Sequence, residues 1–390
     1  MPLVDLKDML DHAHRHGYAV AAFDVSSFES IAAAIAASEN ARAPVILALV
    51  EERLGAQGFA PAVATCEAAG RRASVPVAIQ HDMCTGYEAG VRGINLGCNG
   101  LMLPAVRTGF TEQVAVVRRV ADMAHACGVA VEAALGLPAA PEGSAAKAPA
   151  PPTPEEARAF VERTRVDCLM VPVCTSPGAA RGRTRLDADR LKRLRDAVTV
   201  PLAVRGGLGL SDEQYHRLIA LGVSKIGCPA RRPDAAGMLR GLPATAAGDD
   251  GYAPLLERMR AQFMAEAERC QRLFGAAGRA AEVLAQCRPW RTVEHTILYN
   301  TDGLPEDEVE ALMARGREVL SRIPGVRRVA SGRALTGKPQ FRYCWLIEFA
   351  HPKVIDSYRD HPEHVEYANR LFRPVAVDRL STDYQIERHA

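Results

Sequence analysis

Residues 75–86 of the chain read Val-Pro-Val-Ala-Ile-Gln-His-Asp-Met-Cys-Thr-Gly. Residues 75–79 are apolar and rich in β-branched side chains, which predicts a short buried strand with a proline near its start. Three polar residues follow at once, Gln80, His81 and Asp82, and a glycine-containing turn comes after them. In α/β barrels, polar side chains at the carboxyl end of a strand mark the place where chemistry occurs. This stretch therefore predicts a fold class and the position of a site.

Length and composition limit the number of domains, the kinds of binding partner and the cellular compartment that we expect. A chain of 390 residues is too long for one compact domain, so we expect two. A net charge of +2 gives no reason to expect nucleic-acid or membrane binding, and no apolar run is long enough to span a bilayer. The amino terminus lacks the pattern of a signal peptide. Ten cysteines without a Cys-x-x-Cys pair indicate reduced thiols and a cytoplasmic protein.

Strands and helices alternate through the first two thirds of the chain. Strands are predicted at 18–25, 45–50, 75–79, 99–103, 128–133, 167–173, 199–204 and 223–228. Helical periodicity separates them, for example at 5–16, 114–127 and 155–163. Eight strands that alternate with helices over roughly 280 residues predict a (β/α)8 TIM barrel. A doubly wound open sheet is the alternative.

A different unit begins where this pattern ends, around residues 281–291. Strands are predicted at 292–299, 343–349 and 381–386, and helices at 306–322, 354–358 and 364–372. These elements indicate a separate α+β unit. We therefore divide the chain into a barrel domain at 1–284 and a second domain at 288–390.

The barrel region resembles the class II, metal-dependent fructose-bisphosphate aldolases. The segment 75–86 resembles the family stretch Ala-Leu-His-Leu-Asp-His-Gly. Further matching segments are Leu-Lys-Asp-Met-Leu at 6–10, Ala-Phe-Asp-Val at 22–25, Ala-Pro-Val-Ile-Leu at 43–47, Val-Glu-Ala at 131–133, Pro-Glu-Glu-Ala at 154–157, Gly-Gly at 206–207, Gly-Val-Ser-Lys-Ile at 222–226 and Leu-Phe-Gly-Ala-Ala-Gly at 273–278. The resemblance implies a TIM barrel and aldol-type lyase chemistry.

The second domain resembles the stress-responsive α/β-barrel (Dabb) domains. His295, the run Tyr-Arg-Asp-His-Pro-Glu-His-Val at 358–365 and Val-Asp-Arg at 377–379 carry this resemblance. It implies an α+β ferredoxin-like unit, two copies of which form a dimeric α/β barrel, and hence a homodimer or a higher homo-oligomer. His295, Tyr358 and His364 match positions at which some Dabb polyketide cyclases perform acid/base chemistry. A histidine network that supports the dimer is the alternative.

The zinc ligands of the aldolase family are replaced in this chain. Family members hold Zn²⁺ with three histidines as a Lewis acid on the substrate oxygens. The matching positions here are Met83, Pro177 and Arg205, and Ala134 replaces a glutamate that can bind metal nearby. Proline and arginine cannot ligate Zn²⁺, and a thioether is a poor partner for it. We predict no metal and no cofactor.

Other parts of the family's machinery are retained. Asp82 matches the catalytic acid/base, and Glu142 aligns with the glutamate of a mobile loop that moves the proton at the donor carbon. The predicted substrate-binding residues are Ser176, Gly178, Gly206, Gly207, Gly209 and Lys225. The glycines match those whose amides approach a substrate phosphate. For Lys225 a structural role is the alternative.

Several positions depart from the phosphate-binding pattern. They are Pro104, Leu208, Gly227 and Pro229. Fructose bisphosphate is therefore not the expected substrate.

Arg205 is the most informative change, because it places a permanent cation near the position of the zinc charge. It is interpreted as a clamp for a substrate anion or, alternatively, as a structural ion pair with Asp82 or Glu132.

Two further features lie near the predicted mouth. Cys84, Cys174 and Cys228 form a thiol or substitute metal site, or are simply buried. The Pro/Ala-rich loop at 137–153 is a lid or a plain surface loop.

Two functions follow from these observations. In the first, the protein is a zinc-independent lyase of the aldolase superfamily that acts on a small anionic carbonyl compound, with Asp82 and Glu142 as acid/base and Arg205 as charge stabiliser. In the second, the barrel is a non-catalytic module that binds a ligand or partner, and the Dabb domain supplies dimerisation or its own metal-free acid/base chemistry. We favour the first.

Overall fold

Eight parallel strands close into a barrel in the computed structural model, which describes residues 2–105, 109–136, 151–173, 186–206, 210–228, 252–335, 337 and 339–386. The strands are β1 Val20–Asp24, β2 Val45–Val50, β3 Val77–Asp82, β4 Gly100–Leu103, β5 Ala130–Ala134, β6 Cys168–Met170, β7 Leu202–Arg205 and β8 Val223–Cys228. Each strand pairs with its successor, and β8 pairs with β1. The predicted TIM barrel is confirmed, and the open-sheet alternative is wrong.

Helices connect the strands and surround the barrel. They are α1 Leu6–His16, α2 Phe28–Ala41, α3 Glu51–Arg72, α4 Tyr87–Leu96, α5 Phe110–Ala126, α6 Pro154–Thr164, α7 Ala188–Ala197, α8 Asp212–Ala220, α9 Tyr252–Leu273 and α10 Ala280–Gln286. Local sequence explains several of their ends. Thr153 and Glu156 form a capping box at the start of α6, and Gly17 ends α1 with a φ of 65°. The apolar face of α1 packs against the interior of the barrel.

Strand β3 is longer than its sequence pattern suggests. The predicted strand at 75–79 in fact runs from Val77 to Asp82, because its last three polar residues are all buried and pair with β2. Side chains alternate along a strand, so Gln80 and Asp82 point into the barrel and His81 points outward. The His81 ring indeed packs against Phe59 of α3, with ring centroids 4.6 Å apart.

A buried ion pair occupies the interior of the barrel. The Lys225 ammonium donates to a Glu132 carboxylate oxygen at 2.5 Å and to the Gln80 side-chain oxygen at 2.7 Å. The Gln80 amide in turn donates to Glu132 at 3.0 Å. Lys225 and Glu132 are each 2% exposed. These three side chains therefore satisfy one another inside an apolar barrel, where an unpaired charge would be costly.

The second domain is a four-stranded antiparallel sheet with helices on one face. Its elements are β9 Val293–Thr301, α11 Glu306–Leu320, β10 Val326–Arg333, β11 Tyr343–Phe349, α12 Val354–Arg359, α13 Pro362–Tyr367, a π-helical turn at Ala368–Phe372 and β12 Ala376–Gln385, with sheet order β10-β11-β9-β12. The predicted Dabb-like unit is confirmed. Strand β10 is missing from the prediction, because its arginines and glycine hide the alternation of a strand.

The two faces of this sheet differ in how they are covered. Cross-strand pairs place Trp345 opposite Ile297 on the face that packs against the helices, where Trp345 is fully buried. The neighbouring pairs place Leu298 opposite both Cys344 and Leu380 on the other face. Leu380 is half exposed. Within the described residues, this second face lacks a covering layer of helices.

The barrel and the second domain are joined by buried polar contacts. Arg327 of β10 binds both carboxylate oxygens of Glu67 of α3, at 2.8 and 2.6 Å. Asn95 donates to the carbonyl oxygens of Ser321 and Ile323, and it accepts a hydrogen bond from the Gly325 amide at 2.8 Å. These directional contacts fix one orientation of the two domains, since an unpaired buried arginine would be costly.

Two negative observations concern the described residues. None of the helices there combines the length and the apolar character needed to cross a membrane. The nine cysteines in the described part of the chain are all free.

Replacing Lys225 by methionine is expected to destabilise the barrel. The substitution leaves the Glu132 carboxylate buried without its cation, which typically costs about 3–5 kcal/mol. Urea denaturation should show this loss, and Lys225→Met combined with Glu132→Gln should recover part of it. Lys192→Met is the matched control, because its ion pair with Asp196 is exposed and contributes less than about 1 kcal/mol. Unchanged stability of Lys225→Met would contradict the structural role.

Acid is expected to destabilise the protein through His351, which packs against Trp290 at the junction of the domains. Burial lowers the pKa of His351 from 6.5 to about 4. Between these values the unfolded chain binds a proton that the folded chain does not, so stability falls as pH falls.

His351→Asn should therefore flatten the decrease of the unfolding free energy between pH 6.5 and pH 4. The change in slope should be less than the about 1.4 kcal/mol per pH unit of one whole proton. Asparagine keeps an acceptor for the Lys353 amide, which donates to His351 Nδ1. His216→Asn, at an exposed position, is the control. Parallel pH profiles of His351→Asn and the unsubstituted protein would contradict this expectation.

Candidate active site at the barrel mouth

A polar pocket lies at the carboxyl ends of the barrel strands. Its volume is about 270 Å³, including its opening to solvent. Six of the eight strands contribute to its lining, which consists of Ala22, Asp24, Ala48, Asp82, Met170, Arg205, Lys225, Gly227 and Cys228. This is the end of a TIM barrel at which active sites are found.

Asp82 and Arg205 face each other across this pocket. Asp82 ends β3 and Arg205 ends β7, and the Arg205 Nη2 atom lies 3.4 Å from each Asp82 carboxylate oxygen. The Asp82 side chain is 9% exposed, whereas that of Arg205 is 33% exposed. The contacts are long for a charge-assisted hydrogen bond. Among the described residues, no hydrogen bond engages the Nε and Nη1 atoms of Arg205, so these donors are available to a ligand.

Met83 follows Asp82 in an uncommon backbone conformation. Its φ of 56° is uncommon for a residue with a side chain, and its amide donates to Asp82 Oδ1 at 2.9 Å. The Met83 sulfur lies 3.5 Å from Arg205 Nη2. Two of the three positions that the sequence resemblance assigns to zinc ligands therefore place a thioether beside a guanidinium. This donor set does not fit Zn²⁺, which prefers imidazole, thiolate and carboxylate ligands.

Asp24 and Arg53 form a second ion pair at the mouth, which sequence reasoning missed. Asp24 ends β1, is 5% exposed and binds the half-exposed Arg53 of α3. Burial raises the pKa of Asp24, and the nearby Asp82 raises it further, while Arg53 and Arg205 lower it. The available signal was the position of Asp24 at a strand end, the same rule that identified Asp82.

The structure decides between two partners predicted for Arg205. Arg205 contacts Asp82, whereas the cation bound to Glu132 is Lys225. The interpretation of Arg205 as the partner of Glu132 is therefore wrong. Lys225 lines the floor of the pocket, but its ammonium is directed to Glu132 and Gln80, as its structural alternative predicts.

Gly206 is constrained by its neighbouring strand. Its amide donates to the Gly227 carbonyl at 2.5 Å, and a Cβ atom at Gly206 would lie 2.6 Å from that oxygen. The amide is engaged within the barrel, and the substrate-binding role of Gly206 stays a prediction. Other predicted site residues lie outside the described residues, namely Glu142, Ser176, Gly178, Gly207 and Gly209, and so do Cys174 and Pro177.

The described cysteines near the mouth are buried thiols. Burial raises the pKa of Cys84 to about 11, and its sulfur lies 3.5 Å from the Gly86 carbonyl oxygen. Cys228 lines the pocket, and a hydrogen bond with Cys270, together with burial, raises its pKa well above the usual value. Neither thiol is activated for nucleophilic attack, since that requires a lowered pKa.

The second domain contains a separate, largely apolar cavity of about 250 Å³. Its lining consists of Ile297, Leu320, Trp345, Ile347, Tyr358, His364, Tyr367, Ala368 and Phe372. Tyr358 and His364 are in contact there, with ring centroids 4.3 Å apart. His295 lies beside Tyr358 but is not part of the lining, and its Nδ1 atom is 2.7 Å from Asp383 Oδ1.

Burial shifts the pKa values of Tyr358 and His364 in opposite directions. Burial lowers the pKa of His364, which favours the neutral ring at pH 7. Its Nδ1–H donates to the Arg359 carbonyl at 3.0 Å, which leaves Nε2 as a proton acceptor. Burial raises the pKa of Tyr358, which therefore keeps its proton. The cavity thus brings together a general base and a weak acid.

Comparisons with known proteins agree with both domains. The sequence model of the family described as "Fructose-bisphosphate aldolase class-II" matches residues 4–279, and that of the "Stress Responsive A/B Barrel Domain" matches residues 293–386. The fructose-bisphosphate aldolase of Geobacillus stearothermophilus is 34% identical over 230 residues, which cover 58% of this chain and 80% of that protein. A probable fructose-bisphosphate aldolase of Bacillus subtilis (strain 168) is 33% identical over 231 residues, which cover 58% of this chain and 81% of that protein.

The fold is also similar to solved aldolase structures. The crystal structure of the YdjI aldolase from Escherichia coli K12 has a TM-score of 0.59 and 27% sequence identity, and the match covers 71% of this chain and 99% of that one. Together with the eight-stranded barrel, the family match over most of the chain has a direct consequence. The chain belongs to the class II fructose-bisphosphate aldolase family, and it carries a stress-responsive A/B barrel domain at its carboxyl end.

Proposed function

We propose that the protein is a diverged, zinc-independent lyase that makes or breaks a carbon–carbon bond in a small anionic carbonyl compound. The observation that carries this proposal is the pairing of Arg205 with Asp82 at the barrel mouth. A carboxylate supplies the acid/base group of an aldol reaction, and a guanidinium supplies positive charge for the oxyanion that forms. Fructose bisphosphate is not the substrate in this proposal.

In the cleavage direction, Asp82 accepts the proton of the substrate hydroxyl. The carbon–carbon bond then breaks, a carbonyl forms on the departing aldehyde, and the electron pair moves into the donor fragment as an enolate. Arg205 donates hydrogen bonds to the enolate oxygen. Glu142 is the proposed source of the proton that returns to the donor carbon, in line with its alignment to the mobile-loop glutamate.

The proposed substrate class rests on the size and charge of the pocket. The volume of about 270 Å³ includes the opening to solvent, so it sets an upper limit that only a small molecule meets. In the part of the chain that the structure describes, two arginines and two aspartates at its rim leave no excess of positive charge for two phosphate groups. The engaged amide of Gly206 removes one expected phosphate donor.

The second candidate function places the chemistry in the carboxyl-terminal domain, with the barrel as a ligand-binding module. The observation in its favour is the contact of neutral His364 with Tyr358 in one buried cavity. Such a pair performs proton transfer without a metal. We give it second place because the cavity is lined mainly by apolar side chains, with no cation to stabilise an enolate.

We also propose that the protein is a cytoplasmic homodimer. The open face of the second sheet, formed by Leu298, Leu346 and Leu380 with their neighbours, supports self-association, because pairing with a second copy removes apolar surface from water. The free cysteines support a reducing compartment.

Arg205→Ala is expected to lower turnover strongly. The assay is proton–deuterium exchange at the donor carbon, followed by NMR with pyruvate and dihydroxyacetone phosphate as anionic donors and dihydroxyacetone as the neutral comparison. Loss of a charge-assisted contact costs roughly 1.5–3 kcal/mol, so exchange should fall about ten- to a hundred-fold. Glu142→Gln should abolish exchange, because Glu142 is the proposed proton donor to that carbon, and a chelator should leave exchange unchanged.

Arg92→Ala is the matched control, because Arg92 is half exposed and neither it nor its partner Glu51 lines the pocket. The Arg92→Ala variant should catalyse proton–deuterium exchange at the donor carbon at the same rate as the unsubstituted protein. A large stability loss in Arg205→Ala that Asp82→Asn rescues, with no effect on exchange, would reject the catalytic role of the barrel. Exchange that survives Arg205→Ala but not Tyr358→Phe would assign the chemistry to the second domain.

Leu346→Glu should convert the dimer into a monomer. Leu346 pairs with Thr296 across the sheet, on the same face as Leu298, so a carboxylate there would be buried in the proposed interface. Sedimentation velocity should show half the mass of the unsubstituted protein. Leu335→Glu is the control, since Leu335 is fully exposed in a loop. The proposal fails when Leu346→Glu sediments like the control variant.

A further inference from the structure

Three side chains of the kinds that bind metal ions lie close together at the end of the barrel opposite the mouth. They are His12 and His16 of α1 and Glu282 of α10. One ligand atom of each lies within 4.8 Å of the other two. Helix α1 leads directly into β1, so this cluster lies near the amino-terminal ends of the strands. Elsewhere in the described ranges, no other group of three histidines, cysteines or carboxylates is this close.

The helix itself brings the two histidines together. Residues four positions apart lie on the same face of a helix, one turn from each other. The His12 and His16 rings are stacked, with centroids 4.2 Å apart. Two histidines at this spacing are a recurrent way for one helix to bind a transition metal.

His12 contributes the observation that points to a ligand. It is fully buried, and its Nδ1 atom is 2.9 Å from the Tyr18 hydroxyl oxygen. Its Nε2 atom is buried as well and has no hydrogen-bond partner. A buried ring nitrogen without a partner is destabilising unless something binds it. A metal ion on Nε2 would remove this cost.

The surroundings of His12 and Glu282 suit ligation. When Nδ1–H donates to Tyr18, the tautomer leaves the Nε2 lone pair free, as in metal sites whose outer partners orient the ligand. Arg279 donates to Glu282 Oε2 at 2.9 Å, and among the described residues no other hydrogen bond engages this carboxylate.

We propose that His12, His16 and Glu282 bind a divalent transition-metal ion of the zinc class. Two imidazoles and one carboxylate are ligands that Zn²⁺ accepts, and water completes the shell. The ion ties α1 to α10, the helix that precedes the second domain. This site is separate from the mouth, where Met83 and Arg205 stand in contact at two positions that the resemblance assigns to zinc ligands of the family.

The test measures metal binding by the full-length protein after treatment with a chelator. Zn²⁺ is titrated by calorimetry, and Co²⁺ is followed by its visible absorption. The unsubstituted protein should bind one ion per chain, and Zn²⁺ should raise its melting temperature. His16→Ala and Glu282→Gln alter exposed side chains, so both variants should fold. Each should weaken Zn²⁺ binding by more than about tenfold, which is the effect typical of changing a group that only supports a metal ligand.

Two controls separate this site from other candidates. His216→Ala removes an exposed histidine of α8, and Asp82→Asn alters the mouth, so both should bind Zn²⁺ like the unsubstituted protein. Zn²⁺ bound equally tightly by His16→Ala or by Glu282→Gln would place the ion elsewhere and overturn the proposal. Failure of the unsubstituted protein to bind Zn²⁺ would do the same. Neither result depends on lyase activity.

Discussion

The ion pair of Lys225 with Glu132 inside the barrel constrains the rest of the candidate site. A closed eight-stranded barrel sends every second side chain inward, and its interior here is lined mainly by alanine and methionine. A lysine and a glutamate in such surroundings are tolerated only as partners, and Gln80 completes their hydrogen bonds. Asp82 is two residues beyond Gln80 on the same strand, so the pair also forms the floor above which Asp82 and Arg205 meet.

Charge balance explains the arrangement above this floor. Asp24 and Asp82 are both nearly buried, and the charge of Asp82 raises the cost of ionising Asp24. Arg53 and Arg205 offset this repulsion, one for each carboxylate. In the family that this chain resembles, a divalent cation at the mouth supplies positive charge. Here two guanidinium groups do so, one of them at a position that matches a zinc ligand.

Local sequence patterns were sufficient for the barrel, but not for its contacts. Eight alternating strands and the strand-end position of Asp82 follow from apolar periodicity and from the polar residues after residue 79. The partners of Lys225, at 93 and 145 positions away along the chain, follow only from barrel closure and register. The same reason hid the pairing of Asp24 with Arg53. Strand β10 was missed because its arginines, which serve the contact with the barrel, interrupt the alternation of polar and apolar residues that marks a strand.

The type of cation at the mouth narrows the proposed substrate class further. A metal ion accepts oxygen ligands from many directions, whereas a guanidinium is planar and donates in fixed, parallel pairs. Among the described residues, Arg205 contacts Asp82 through Nη2 alone, so the second N–H of Nη2, together with that of Nε or Nη1, can form a parallel donor pair. Such donors fit a planar anion, either a carboxylate or an enolate conjugated to one. A 2-oxo acid presents both groups in one plane, so the geometry favours a carboxylate-bearing donor over a phosphorylated one.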